Sequence, residues 1–421
     1  MPVTQCANPT DLPGPGEPGR WPFLQRLRRQ RDLEAQPWLQ AIETGMIPLA
    51  NDLVAVLASH LDGDEASRLL HCWLAQPQPD PALPALIGER RDRVWGAALR
   101  QALAQASPAQ QIPLLPLLGH QRERADFGLL QQRLRQAAPL PLRRAALEGL
   151  QRGLAAWPRA QLRAVLSEVA TDLQPALAAE AIDALARLPR ARGDLLRLAR
   201  RGLDSRLQQR LQRRLHSHPA RPLLLLVHGR SGGEIGAVWQ QLATDLALRR
   251  GAPVQLLALT AEPAALPRFA AGQPPATLVP LLLLPGLHVR QDLPALWQRR
   301  QAPLSRVPFL GAWPAWQQLL AEELLSLGRQ GAAPPLLLHH PLSGPLARRF
   351  LSQLERRCAA RCRDNGGEDP PAADQPFLPL VLAPNRLTEA LQAAGLAAAA
   401  RPLLARPRLR EGLIRLLEEL P

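Results

Sequence analysis

The chain contains no lysine and no tyrosine, only two methionines and four cysteines, and aromatic residues make up 4% of its 421 positions. With so few rings, the core has to be built from Leu and Ala. Four cysteines cannot staple a chain of this length, which excludes a disulfide scaffold and points to a reducing, cytoplasmic setting. No apolar run reaches the ~18 residues of a membrane span. The best, Thr277–Leu287, is short and holds two prolines. Met1–Arg20 is Pro/Gly-rich without an apolar stretch, so it is not a secretory signal and reads as a disordered leader.

The missing lysine also governs the charge. Fifty-one basic residues against 36 acidic give +15, and every basic residue is Arg. Together with abundant Ala, Gly and Pro, this is the composition that GC-rich coding produces. The charge is therefore discounted as a nucleic-acid signature, the more so because stacking aromatics are scarce. Arginine forks still suit carboxylates and phosphates. At 46% hydrophobic and 21% charged the chain is globular, with room for two or three domains.

From Trp21 to about Ala220 apolar residues recur at helical spacing, as in Leu53, Val56, Leu57 and in Leu142, Ala145, Ala146, Leu150. Pro141 and Pro175 lie 34 residues apart, each followed by a similar Ala/Leu face. Paired helices at a period of ~30–47 residues are the mark of HEAT-type arrays. Residues 21–220 are accordingly expected to form a helical, HEAT-like domain, with an irregular helical bundle as the alternative. Arg187–Arg214 is dense in arginine, readable as an anion-binding face or as an ordinary solvated one.

At Pro222 the texture changes. Short apolar runs (Leu223–Val227, Val254–Leu259, Leu278–Leu284) alternate with helical segments, which predicts buried parallel strands and an α/β domain. The order then repeats: Leu336–Leu338, a helix over Leu346–Arg357, Leu378–Val381 and a helix from Pro407 echo the first half at offsets of 99 and 93 residues. Two half-domains, 222–331 and 332–421, are expected, with Arg363–Pro376 as a flexible insertion.

In open α/β sheets ligands bind beyond the carboxyl ends of the strands. His228 and His288 both follow apolar runs and are expected to face one cleft, where two imidazoles can hold a borderline divalent metal or accept protons near pH 7. Asp292, four residues after His288, either orients that ring or caps a helix. Cys358 and Cys362 are expected on one helix face as small core residues, and His339-His340 as structural. Arg230-Ser231-Gly232-Gly233 lacks the spacing of a nucleotide phosphate loop.

Three segments carry a family resemblance: LLLLVHGRSGG (223–233), TAEPAALPRF (260–269) and VPLLLLPGLHVRQDLP (279–294). The third resembles the sirohydrochlorin chelatases, the class II CbiX/SirB group, at Val279, Pro280, Leu281, Gly286, His288, Asp292 and Pro294. The resemblance implies two flavodoxin-like chelatase halves, the first bearing the site and the second degenerate. It implies insertion of Fe2+ or Co2+ into a tetrapyrrole for siroheme or cobalamin synthesis, a lyase-class activity with no organic cofactor. It gives His228 and His288 as metal-holding bases, Glu262 as a third metal contact, and Arg230 and Arg290 as contacts to substrate carboxylates. The family's first glutamate falls on Leu259 here. That departure keeps open a second function, a non-catalytic tetrapyrrole- or metal-binding protein whose helical domain docks a protein partner. Neither reading involves a membrane, and nucleic acid is not an expected partner.

Overall fold

The computed structural model describes residues 8–30, 33–88, 91, 93–135, 138–261, 275–298, 304–327, 334–365, 375–396 and 400–421. The chain divides into two compact units, Met1–Pro189 with Leu198–Arg214, and Arg190–Arg197 with Leu215–Pro421. Helices dominate, and small parallel sheets occur only after residue 222 among the described residues. No described helix is long and apolar enough to cross a membrane.

The described residues of the first unit form helices and their connections. The N-terminal stretch is folded from Asn8 rather than disordered: Pro9–Asp11 form a 3-10 turn, and Arg20 is buried with its guanidinium on the Pro13 carbonyl and the Asp52 carboxylate. Helices begin at recognisable signals. Asp62 and Glu65 close a capping box on Gly63–Leu74, and Ser107 with Gln110 does the same for Pro108–Gln121. Pro108–Gln121 crosses Leu140–Arg152 at a pair of glycines. A Cβ on Gly119 would stand 1.9 Å from the Gly149 carbonyl oxygen, so only Gly permits that approach. The arginine-rich stretch is in large part internal strutting. Arg210 and Arg214 both hold Asp183 and Arg187 reaches Gln151, while Arg197 bonds Asp194 in the segment that belongs to the second unit.

Among its described residues the second unit carries seven strands: β1 (Leu223–Val227), β2 (Val254–Ala258), β3 (Thr277–Pro280), β4 (Ser305–Arg306), β5 (Leu336–His339), β6 (Arg361–Asp364) and β7 (Phe377–Pro379). They form two sheets, ordered β2-β1-β3-β4 and β6-β5-β7, with every pair parallel. Strand periodicity sorts the leucines. Leu223, Leu225 and Val227 face one core, while Leu224 and Leu226 face a second patch with Leu257, Leu278, Leu293 and Leu296. The second sheet does likewise: Leu337 and Leu378 join the same core as Leu225, while Leu336, Leu338 and Phe377 turn to a third patch. The two sheets thus share one continuous core, filled by the helices between them.

The internal echo is physical. Each half ends in a 3-10 turn, Leu310–Ala312 or Leu403–Ala405, docked on the sheet by the Gly311 amide to Leu282 or the Leu404 amide to Leu382. A proline-led helix follows each turn, Pro314–Ser326 and Pro407–Glu418, with Pro at a position that needs no amide donor. These helices meet across the core through the buried Arg406–Glu323 pair and the exposed Arg408–Glu322 pair.

Two expectations are corrected here. Arg363 and Asp364, expected to open the flexible insertion Arg363–Pro376, belong to strand β6 at the sheet edge. Cys358 ends the helix Pro345–Cys358 while Cys362 lies on β6, so they do not share a helix face; burial pushes the two thiols up to about 11 and about 12. Residues 366–374 of the expected insertion, and the expected helix from Pro263, lie outside the described residues.

Candidate functional site at the carboxyl ends of the strands

His228 directly follows β1. Its backbone is set by Gly229, whose φ of +76° suits glycine and where a Cβ would fall 2.5 Å from Thr260 Oγ1. Thr260 donates its hydroxyl to the Arg230 carbonyl at 2.6 Å, tying the β1 loop to the end of β2. His288 opens a π-helical turn, His288–Asp292, beyond β3. Such turns are rare and concentrate at functional sites.

The two imidazoles meet edge to face with ring centroids 4.6 Å apart. Their hydrogen bonds fix which nitrogen is free. His228 Nδ1 lies 2.7 Å from the Gly229 carbonyl, and His288 Nδ1 lies 2.5 Å from Asp292 Oδ2. A carbonyl and a carboxylate only accept, so Nδ1 carries the proton in both rings. Each Nε2 is therefore a lone-pair donor whenever its ring is neutral. Asp292 thus orients His288, the arrangement that prepares a histidine for metal or for proton abstraction.

The other expected residues fall differently. Arg230 is exposed, with Glu234 3.8 Å away, and Arg290 is exposed on the π-turn. Glu262 lies outside the described residues. Leu259 is half-buried against the apolar patch of Leu224, Leu226 and Leu257. Among the described residues no group of three or more His, Cys, Asp or Glu side chains is set to hold a metal ion.

The sequence reading missed the contribution of the second half. His339, buried at the end of β5, donates Nδ1–H to the His340 carbonyl. His340 is exposed, and its Nε2 lies 3.0 Å from Asn385 Nδ2. Partial desolvation of the ring by its surroundings, then the neighbouring His228 and His339, hold the His340 pKa below the usual imidazole value. The loops of the two halves touch: a Cβ on Gly286 would be 3.6 Å from Leu342, and one on Gly344 3.7 Å from Arg290. The doubled histidine after β5 was the available signal.

No protein-family model matches the chain, and no curated protein matches it. Two solved structures of LpoA from Haemophilus influenzae do match, at 12% identity with a TM-score of 0.25 and at 14% with a TM-score of 0.21. Each alignment covers 89% of this chain and 77% of the other. Scores this low carry neither fold nor function across.

The chelatase resemblance is corrected on these findings. No family model, of a chelatase or of any other protein, matches residues 222–421. Metal insertion into sirohydrochlorin, and with it a role in siroheme or cobalamin synthesis, is withdrawn. The motif has a physical explanation that needs no shared activity. Val279 and Leu281 are core residues of a buried strand and its extension, and Pro280 to Gly286 turn the chain toward His288. Any buried parallel strand leading into such a turn calls for those residue types.

Proposed function

We propose that the second unit binds a borderline divalent transition-metal ion through Nε2 of His228 and His288. The observation that supports this is the pair of fixed tautomers: both Nδ1 atoms donate to acceptors, so both Nε2 lone pairs are available on rings 4.6 Å apart. Neutral imidazole suits Zn2+, Ni2+, Co2+ and Fe2+ alike. The two halves are read as flavodoxin-like on strand order, since each sheet sets its first three strands as 2-1-3. A cytoplasmic location accords with the unbridged thiols of Cys72, Cys358 and Cys362. Titration of the full chain with Zn2+ by calorimetry tests the proposal. One equivalent should bind, and His288→Ala and His228→Ala should each abolish it. A natural chain that takes up no Zn2+ refutes it.

A second reading concerns the first unit. A groove of about 450 Å³ between Asp126–Arg135 and Arg159–Val169 is lined by Phe127, Val165, Arg124 and Arg135, the last of which already pairs with Glu168. That lining fits a short acidic segment of a partner protein. Titration with a fluorescent Asp/Glu-rich peptide should show saturable binding that Arg124→Ala weakens; equal binding by the variant would remove this reading.

A further inference from the structure

We infer that His340, from the second half-domain, is a third nitrogen donor to the ion bound at His228 and His288, held back by Asn385 until the ion arrives. The inference rests on the metal-binding reading above and adds the residue that closes the site.

The tautomer of His340 follows from the cap it touches. Asn385 is the N-cap of the helix Arg386–Ala393, and its Oδ1 accepts the backbone amides of Leu387 and Thr388 at 3.1 and 3.2 Å. With the oxygen committed to the helix, the Nδ2 amide is the end that faces His340. Nδ2 can only donate, so His340 Nε2 accepts and carries the lone pair. All three histidines therefore present Nε2 unprotonated when neutral, each fixed by a different partner: a carbonyl, a carboxylate and an amide.

The second half stands next to the pair. The loops carrying His288 and His340 abut at Gly286 with Leu342 and at Arg290 with Gly344. As placed, the three rings do not form a ligating group among the described residues, and Nε2 of His340 is engaged by Asn385. A neutral amide bond to an exposed ring contributes only about 0.5–1.5 kcal/mol. An imidazole–metal bond at ~2.0–2.1 Å exceeds it, so turning the His340 ring from Asn385 to the ion is downhill. The ion would then tie the two half-domains together.

Two substitutions test this in the full chain, with Zn2+ as the probe. His340→Gln keeps a polar side chain on an exposed loop and removes the donor. It should weaken Zn2+ binding by at least the ~10–100-fold that loss of even an outer partner costs. Asn385→Ser keeps an N-cap oxygen and removes the amide, so Zn2+ should bind severalfold more tightly. In selectively 15N-histidine-labelled protein, His340 Nε2 should shift with the same one-equivalent end point as Nε2 of His228 and His288.

The outcomes separate. If the natural chain binds Zn2+ and His340→Gln binds it equally well, with the His340 resonance unmoved, the inference falls and the two-histidine reading stands. If Asn385→Ser binds no more tightly than the natural chain, the exchange of partners is wrong. If the natural chain binds no Zn2+, both the reading and the inference fall.

Discussion

Arg250 offers a severe test of how the second unit is held together. It closes the helix Ala237–Arg250 and is only 4% exposed. Its Nη1 donates to the carbonyls of Leu417, Glu418 and Leu420 at 2.7, 3.1 and 2.9 Å, and its Nη2 to those of Arg221 and Pro421 at 2.8 and 2.9 Å. The last carbonyls of Pro407–Glu418 lie past the reach of most of the helix's own amides, and the guanidinium caps them beside the Leu420 amide, which reaches Leu417. Burial, with Arg192 nearby, pushes the Arg250 pKa down to about 10, which leaves it charged at neutral pH.

Arg250→Met keeps most of the stem and removes all five donations. At ~1.5–3 kcal/mol for each bond to a charged donor, simple addition would give roughly 7–15 kcal/mol. Two effects shrink that figure. The variant no longer buries a cation, which recovers several kcal/mol, and the half-exposed chain end lets the freed carbonyls of Leu420 and Pro421 reach water. A net loss of about 3–5 kcal/mol remains. Hydrogen exchange read by mass spectrometry on peptides spanning 407–421 measures it locally. At ~1.4 kcal/mol per tenfold, exchange should accelerate roughly a hundred- to several-thousand-fold. Arg250→Lys, which keeps the charge without the fork, should fall between. Unchanged protection of this helix in Arg250→Met would show that the five bonds do not hold it, and the reasoning would be refuted.

Further expectations follow from single contacts. A Cβ on Gly311 would stand 1.8 Å from the Leu283 carbonyl oxygen, whereas one on Gly286 meets only Leu342 at 3.6 Å; Gly311→Ala should lower Tm sharply, by ~3 kcal/mol or more, and Gly286→Ala hardly at all, and similar melting of the two would contradict the packing. Burial pushes the Asp183 carboxyl up, but hydrogen bonds from Arg210 and Arg214 outweigh it and hold the pKa at about 2. Because this lies below the unfolded value of ~3.9, the resulting stability is full above pH 5 and lost as pH falls toward 2. Asp183→Asn should therefore flatten the acid limb of the helical unit's stability profile, and an unaltered limb would count against the pair. Leu259→Glu puts a carboxylate against Leu224, Leu226 and Leu257, and should lower Tm by the equivalent of about 1–2 kcal/mol; a melt no lower than that of the natural chain would mean the patch does not need Leu259.

Much of the second unit was legible because its signals are periodic. The run Leu223–Val227 is apolar on both faces, which only a strand covered on two sides can be, and the prolines at 314 and 407 mark helix starts that nothing else explains as well. The meeting of His228 and His288 followed from that topology alone. Strand β6 was illegible, since Arg361, Cys362, Arg363 and Asp364 have none of the β-branched character of a strand. It is an edge strand of mostly exposed or half-buried residues, defined by pairing with β5 that no local pattern encodes. The tie between His340 and Asn385 spans 45 residues and depends on which end of an amide a helix cap has already used. The motif at 279–294 misled in the opposite direction: strand and turn requirements alone reproduce most of it.

The continuous core between the two sheets constrains inheritance as well as folding. Leu225 and Val279 from one sheet and Leu337 and Leu378 from the other contribute to one interior, so neither half has a surface of its own on that side. Isolated, each would present an apolar face that a monomer does not tolerate. At the seam, Gly412 of one half lies over Leu319 of the other, where a Cβ would come 2.6 Å from Leu319 Cδ1. A larger residue at 412 requires the Leu319 side chain to turn aside or to be replaced by a smaller one. Positions nearly a hundred residues apart are coupled across the seam, so a change in one half is felt in the other.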